Sequence, residues 1–289
     1  MSEYSVKIAE TIRGPVEYGA FGEGPVVLSL HGAMGGHDQS RLLAQTIGVE
    51  GFRTIAVSRP GYLGTPLGTG RTASSQADLC ALLLDTLKIE SVLVMAVSGG
   101  GPAALEFAIR YPERCRGLVL ASACTDVMDT PIPFAFTVMK TLAYIPWFVS
   151  FMRRMAEKDI DKVAQRSIPD AQLRAQTLSD PEAGPLFKAL LLSAYDRMGQ
   201  RLSGTTNDIE ITRSTAYGLE QISAPVLSIH GTDDSVVPYI QHAAPLAERI
   251  PHAEHLTIEG GEHVVIFTHL KEVRERVGRF LTKHAHIAS

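Results

Sequence analysis

The chain has 289 residues, of which 45% are hydrophobic, so it is long enough to bury one large core. Its formal net charge of −4 argues against nucleic acid or an anionic membrane surface as a partner. Its three cysteines, Cys80, Cys115 and Cys124, lack the spacing of a zinc site, so we expect buried thiols in a reducing compartment and no metal.

Apolar runs alternate with amphipathic stretches along the chain, which predicts a mostly parallel sheet with helices on both faces. The N-terminal residues lack the apolar core of a signal peptide, so a cytoplasmic location is expected. The predicted strands are 5–8, 15–18, 26–30, 53–57, 92–97, 117–121, 226–230 and 255–258, and the first two form an antiparallel edge. The predicted helices are 74–87, 101–111, 239–250 and 264–284.

The third predicted strand opens into a glycine-rich loop that contains His31, Ala33 and Met34. We expect the His31 ring to bond the loop backbone. Gly35 and Gly36 are a weak phosphate-loop signal, because neither Gly-Lys-Ser/Thr nor a full Gly-x-Gly-x-x-Gly is present. The loop therefore predicts neither nucleotide binding nor any other cofactor.

The fourth predicted strand is followed by a loop, residues 58–66, that contains Pro-Gly and Gly-Thr-Pro turns. These turns predict a mainly structural role for the loop. Two of its side chains, Arg59 and Tyr62, could also reach a pocket.

Ser98 stands between the buried strand 92–97 and the helix 101–111, with small residues on both sides. A sharp strand-to-helix turn that exposes a serine requires such neighbours, because larger side chains would clash. Ala96 stands where glycine is usual, and a methyl group is tolerated there. This context predicts a nucleophile elbow, with the N–H groups of the following helix favouring negative charge beside Ser98.

Residues 126–222 break the alternation of strands and helices. Their most apolar stretch, 131–152, is long enough for a membrane span, but Lys140 and Pro146 argue against insertion. Contact with a membrane interface remains an alternative. The favoured interpretation is an apolar helical cover over the serine, which predicts a partly hydrophobic small-molecule substrate. The predicted pocket residues are Met34, Phe134, Phe136 and Trp147.

Two later loops complete a catalytic constellation. The strand 226–230 runs into Asp233 and Asp234, and the last strand ends in a glycine turn before His263. A serine hydroxyl is a poor nucleophile until an imidazole accepts its proton, and that imidazole needs a carboxylate to orient it. The chain order Ser, Asp, His is that of α/β-hydrolases. The chain resembles the α/β-hydrolase superfamily over nearly its whole length.

The resemblance implies an α/β-hydrolase fold with a mostly parallel, eight-stranded twisted sheet flanked by helices. A helical cap is expected after strand six. The core would comprise residues 1–125 and 223–289, and the cap would comprise residues 126–222.

The resemblance also implies roles for individual residues. Ser98 would be the nucleophile, Asp234 the acid and His263 the base, with Asp233 a turn residue. The backbone N–H groups of Ala33 and Gly99 would form the oxyanion hole. Glu262 departs from the family pattern, in which glycine commonly precedes the histidine; its carboxylate could favour the protonated imidazole or point to solvent.

We therefore expect a serine esterase that acts through an acyl-enzyme. Lactone opening, amide hydrolysis, C–C cleavage, cofactor-free haloperoxidation and cyanohydrin lysis use the same constellation in relatives and remain alternatives. A non-enzymatic small-molecule receptor with this fold is an alternative of another class. A homodimer is a further alternative to a monomer.

Overall fold

The computed structural model describes residues 4–128 and 134–285. Its strands are β1 (Ser5–Thr11), β2 (Gly14–Phe21), β3 (Val26–Leu30), β4 (Arg53–Val57), β5 (Val92–Val97), β6 (Cys115–Ala121), β7 (Val226–Gly231) and β8 (Glu254–Ile258). They form one eight-stranded sheet in the order β1-β2-β4-β3-β5-β6-β7-β8. The predicted eight-stranded sheet is confirmed.

The helices that precede β6 are α1 (His37–Ile47), α2 (Ala73–Thr86) and α3 (Gly101–Arg110). Between β6 and β7 lie α4 (Phe134–Leu142), α5 (Pro146–Lys158), α6 (Ile160–Ala164), α7 (Ala171–Ser179), α8 (Ala183–Ser193) and α9 (Leu202–Ser214). The last helices are α10 (Tyr239–Arg249), α11 (Val265–Thr268) and α12 (Leu270–His284).

The order of the strands brings the loops of the site together. β1 pairs antiparallel with β2 and β2 with β4, as the predicted edge requires, whereas β3 pairs parallel with both β4 and β5. The chain therefore reverses its direction of winding at β3, and the loops after β3 and β5 emerge side by side. A crevice at the carboxyl ends of strands where the order reverses is the usual ligand site of such sheets.

Apolar layers cover both faces of the sheet. α2 and α3 pack Leu83 and Phe107 on one face, and α1 and α12 pack Leu43 and Val273 on the other. Because both faces are covered, the central strands are apolar along their length rather than alternating, as β5 shows.

Two helical predictions differ from the structure. α1 was not expected, because its buried positions include Gln39, Ser40 and Thr46 and therefore lack an apolar period. The predicted helix 264–284 is two helices, because the backbone at His269 leaves the helical conformation (φ −124°, ψ 38°).

Helices α4–α9 follow the sixth strand, where the helical insertion was predicted. The division at residues 126 and 222 stays a prediction, and residues 129–133 of the apolar stretch lie outside the described residues. Within the part of the chain that the structure describes, no helix is both long and apolar enough to cross a membrane.

α9 packs so closely on the core that the two backbones are hydrogen-bonded to each other. The Gly204 N–H donates to the Gly61 carbonyl at 2.9 Å, and an ideal Cβ on Gly204 would lie 2.3 Å from the ring of Tyr62. Since Tyr62 is completely buried, its ring has no space into which to retreat. Glycine at position 204 therefore sets how closely α9 approaches the core.

We expect Gly204→Ala to lower the free energy of unfolding. Overpacking costs about 1–3 kcal/mol, and the better helix propensity of alanine returns at most about 1 kcal/mol. Urea unfolding measures the difference. The matched control is Gly68→Ala, whose ideal Cβ meets nothing within 4 Å, so its change should stay within about 0.5 kcal/mol. Equal stability of the two variants would contradict the close docking of α9.

Candidate active site

The turn after β5 holds Ser98 in the left-handed region, with φ 51°. An L-residue adopts this conformation at a cost, and only where its surroundings enforce it. Behind the turn, an ideal Cβ on Gly100 would lie 2.7 Å from the carbonyl oxygens of Leu30 and His31, so the elbow packs directly on the end of β3. Ser98 itself is half-buried.

The three residues predicted as a triad meet in space. The Nε2 atom of His263 lies 3.2 Å from Oγ of Ser98, and its Nδ1 atom lies 2.8 Å from Oδ2 of Asp234. β5, β6, β7 and β8 lie side by side in that order and are parallel. The loops at the carboxyl ends of β5, β7 and β8 therefore present the three side chains at one edge of the sheet.

The surroundings of Asp234 keep its carboxylate charged. Oδ1 accepts the backbone N–H groups of Val236 and Val237 at 2.9 and 2.8 Å, and the ring of His230 lies 3.3 Å from Oδ2. Although burial opposes ionisation, the hydrogen bonds from His230 and His263 hold the pKa of Asp234 well below its ordinary value. An acceptor-only carboxylate places the proton of His263 on Nδ1 and leaves Nε2 free to accept the Ser98 proton.

The neighbouring carboxylates lie elsewhere. Asp233 is exposed, and its carboxylate accepts a hydrogen bond from the Thr232 hydroxyl at 3.2 Å. The carboxylate of Glu262 accepts a 3.4 Å hydrogen bond from the Ser235 hydroxyl. Of the two adjacent aspartates, only Asp234 contacts His263 among the described hydrogen bonds.

The two predicted oxyanion donors are close together. The backbone nitrogen of Ala33 lies 3.6 Å from the position of an ideal Cβ on Gly99. An ideal Cβ on Gly32 would lie 3.0 Å from Cβ of Ser98, so the loop after β3 passes directly beside Ser98. Ala33 is exposed.

The structure brings together two of the four predicted pocket residues. Met34 and Phe136 are partly buried and pack on the small cluster of Ala143, Met198 and Leu202. Trp147 does not join them: its side chain is 70% exposed and contacts the Phe148 ring edge-on. The side chain of Phe134 lies outside the described residues.

Sequence reasoning missed two buried polar partners of the site. His230 approaches Asp234 from four residues earlier, a spacing visible in the sequence but ordinary for a strand end. Asp208, on α9, pairs with Arg59 beside the elbow. Nothing in the sequence around either residue indicates this contact, because 149 positions separate them.

Known proteins share this architecture. The family model for the alpha/beta hydrolase fold matches residues 25–270. The uncharacterized hydrolase YcgS of Bacillus subtilis (strain 168) is 30% identical over 266 residues, which cover 87% of this chain and 89% of that protein. The poly(3-hydroxyalkanoate) depolymerase of Ectopseudomonas oleovorans is 28% identical over 206 residues, which cover 71% of this chain and 66% of that protein.

A solved structure agrees with these sequence matches. The alpha/beta hydrolase fold protein from Nakamurella multipartita is 32% identical and superposes with a TM-score of 0.85, covering 96% of this chain and 99% of that one. Since the family model spans most of the chain and the fold is the same, the protein belongs to the alpha/beta hydrolase fold family and is a hydrolase.

Proposed function

We propose that the protein is a serine hydrolase that cleaves the carboxylic ester of a partly hydrophobic small molecule through an acyl-enzyme. The observation that carries the proposal is the continuous chain of hydrogen bonds from Ser98 through His263 to Asp234. A half-buried serine at a strained turn, bonded to an oriented imidazole, is the arrangement that activates a hydroxyl nucleophile.

The reaction follows from the positions of the three side chains. Oγ of Ser98 attacks the ester carbonyl carbon while Nε2 of His263 takes its proton, and the carbonyl electrons move onto the oxygen. The tetrahedral intermediate collapses, the C–O bond to the alcohol breaks, and His263 protonates the leaving oxygen. Water, deprotonated by His263, then attacks the acyl carbon. The bond from that carbon to Oγ of Ser98 breaks, His263 returns its proton to Oγ, and the acid leaves.

The oxyanion of each tetrahedral intermediate would lie between the N–H groups of Ala33 and Gly99. Donors fixed before the reaction stabilise the developing charge without reorganising, and loss of one such donor costs about 2.7–4 kcal/mol in related chemistry. Asp234 remains anionic and stabilises the imidazolium that forms at His263.

Two observations support an ester as the substrate. Met34 and Phe136 offer apolar surface next to the oxyanion loop, which suits an acyl chain. The depolymerase relative acts, by its name, on a poly(3-hydroxyalkanoate), which is a polyester. C–C cleavage, lactone opening and haloperoxidation use the same triad, so the substrate has to distinguish among them.

Ser98→Ala should abolish ester turnover, with a loss of several orders of magnitude in kcat, because the substitution removes the attacking oxygen. A fluorophosphonate should label the native protein and fail to label this variant, while Ser150→Ala, at an exposed position of α5, should label normally. Because triad members act as a unit, adding His263→Ala should reduce kcat little further. Labelling of Ser98→Ala at another serine would refute the assignment.

Asp234→Asn and Asp233→Asn form a matched pair of adjacent substitutions. Asp234→Asn should lower kcat by orders of magnitude, because the imidazole loses the anion that orients it and stabilises its charged form. Asp233→Asn should leave kcat nearly unchanged, since the exposed carboxylate of Asp233 contacts only a neighbouring turn hydroxyl among the described side-chain bonds. Steady-state kinetics on one activated ester decides between them, and the reverse ranking would mean that the acid had been misassigned.

A series of p-nitrophenyl esters of increasing acyl length tests the substrate class. Each methylene buried against apolar side chains contributes about 0.8 kcal/mol, so kcat/KM should rise about fourfold per methylene until the pocket is full. Turnover of a vinylogous 1,5-diketone without any ester hydrolysis would identify a C–C hydrolase instead. Absence of both turnover and fluorophosphonate labelling would favour a receptor.

A further inference from the structure

The peptide group between Gly32 and Ala33 carries one of the two oxyanion donors. In a trans peptide, the carbonyl of one residue and the N–H of the next point in opposite directions. Whatever holds the Gly32 carbonyl on one side therefore fixes the direction in which the Ala33 N–H points on the other.

Two side chains hold that carbonyl from behind the loop. Nδ1 of His31 lies 2.6 Å from the Gly32 oxygen, and Nη2 of Arg59 lies 3.4 Å from it. Arg59 also donates from Nε to the His31 carbonyl at 2.9 Å. The guanidinium thus spans two successive carbonyls on the side of the loop away from the cleft.

The protonation of His31 is determined by its neighbours. Its Nε2 accepts the backbone N–H of Arg59 at 3.0 Å, so the single proton of the neutral ring is on Nδ1 and is donated to Gly32. Complete burial, reinforced by the charge of Arg59, holds the pKa of His31 well below its ordinary value. The ring is therefore a neutral donor with one tautomer.

Arg59 is itself held by Asp208, which comes from α9. Nη1 and Nη2 of Arg59 donate to Oδ1 and Oδ2 of Asp208 at 2.8 and 2.5 Å, and both residues are almost fully buried. The Tyr62 hydroxyl donates to Oδ2 at 2.5 Å. This forked geometry sets the plane of the guanidinium, which a single-point contact could not do.

α9 reaches both halves of the oxyanion hole. Oδ2 of Asp208 lies 3.2 Å from the position of an ideal Cβ on Gly99, and Oγ1 of Thr205, one turn earlier, accepts the Met34 N–H at 3.0 Å. An unpaired carboxylate this close to Gly99 would repel a developing oxyanion. Its pairing with Arg59 removes that penalty.

From these contacts we infer that Asp208 is a positioning residue for the oxyanion hole. Through Arg59 and the Gly32 carbonyl it aims the Ala33 N–H at the reacting oxygen, so a helix of the inserted segment takes part in stabilising the transition state. The inference rests on the proposed function, and it adds Asp208, Arg59 and His31 to the residues on which the rate depends.

Asp208→Asn keeps the size of the side chain and removes the charge that orients Arg59. We expect kcat to fall by about 100-fold with KM little changed, because the misplaced donor matters only in the transition state. The affinity for a trifluoromethyl ketone should fall by the same factor, since Ser98 adds to its carbonyl carbon and leaves an oxyanion in the hole.

The matched control is Asn207→Ala on the same helix. Asn207 is also buried and also bonds the core, through the Arg71 carbonyl at 2.9 Å. Its loss should lower thermal stability while leaving kcat and ketone affinity within about twofold of the native protein, because no hydrogen bond among the described residues joins its side chain to the loop after β3. A purely structural role for Asp208 would make the two variants behave alike.

If Asp208→Asn fails to fold, Arg59→Lys tests the same inference. A lysine ammonium keeps the charge but cannot span two carbonyls and a carboxylate, so the same loss of kcat and ketone affinity is expected. Native kcat in Arg59→Lys, or a loss confined to KM in either variant, would overturn the inference. Failure of the native protein to react with fluorophosphonate would instead overturn the proposed function, so the two failures are separable.

Discussion

The left-handed backbone at Ser98 is the constraint on which the rest of the site depends. It turns the chain from β5 into α3 so sharply that the serine side chain stands clear of both, and it forces the elbow against the end of β3. Because that contact is backbone to backbone, the loop after β3 has to lie beside Ser98. The side chains of His263 and Asp234, the backbone nitrogen of Ala33 and helix α9 all lie around this one turn.

The local features of the fold were predictable from the sequence for physical reasons. β3, β4 and β5 were predicted to the residue, because strands buried on both faces are continuous apolar runs bounded by turn residues. Ser98 and Asp234 each follow such a strand, and His263 follows a glycine turn after the half-buried β8. Short motifs therefore sufficed to place them at one edge of the sheet. The structure brings these three side chains within hydrogen-bond distance.

What the sequence did not reveal depends on tertiary contact. α1 was hidden because it buries polar side chains, and the break at His269 has no proline or glycine to mark it. Trp147 was predicted to line a pocket because it is apolar, but it is mostly exposed. In a helix with many apolar residues, the sequence does not indicate which of them face inward. In the sequence, Asp208 looks like an ordinary charged helix residue. Only the fold places it beside Arg59.

The pairing of Arg59 with Asp208 has a consequence for how this enzyme can be modified. The segment between β6 and β7 supplies the apolar surface around Met34, so under the proposed function it is the natural place to alter substrate range. The same segment supplies the counter-charge for an arginine buried beneath the oxyanion loop. Replacing it with the corresponding segment of another hydrolase would leave Arg59 buried without a counter-charge, unless the new segment also carried an acidic residue at position 208. A graft at this place therefore has to carry its own carboxylate, because Arg59 would otherwise be an unpaired buried charge.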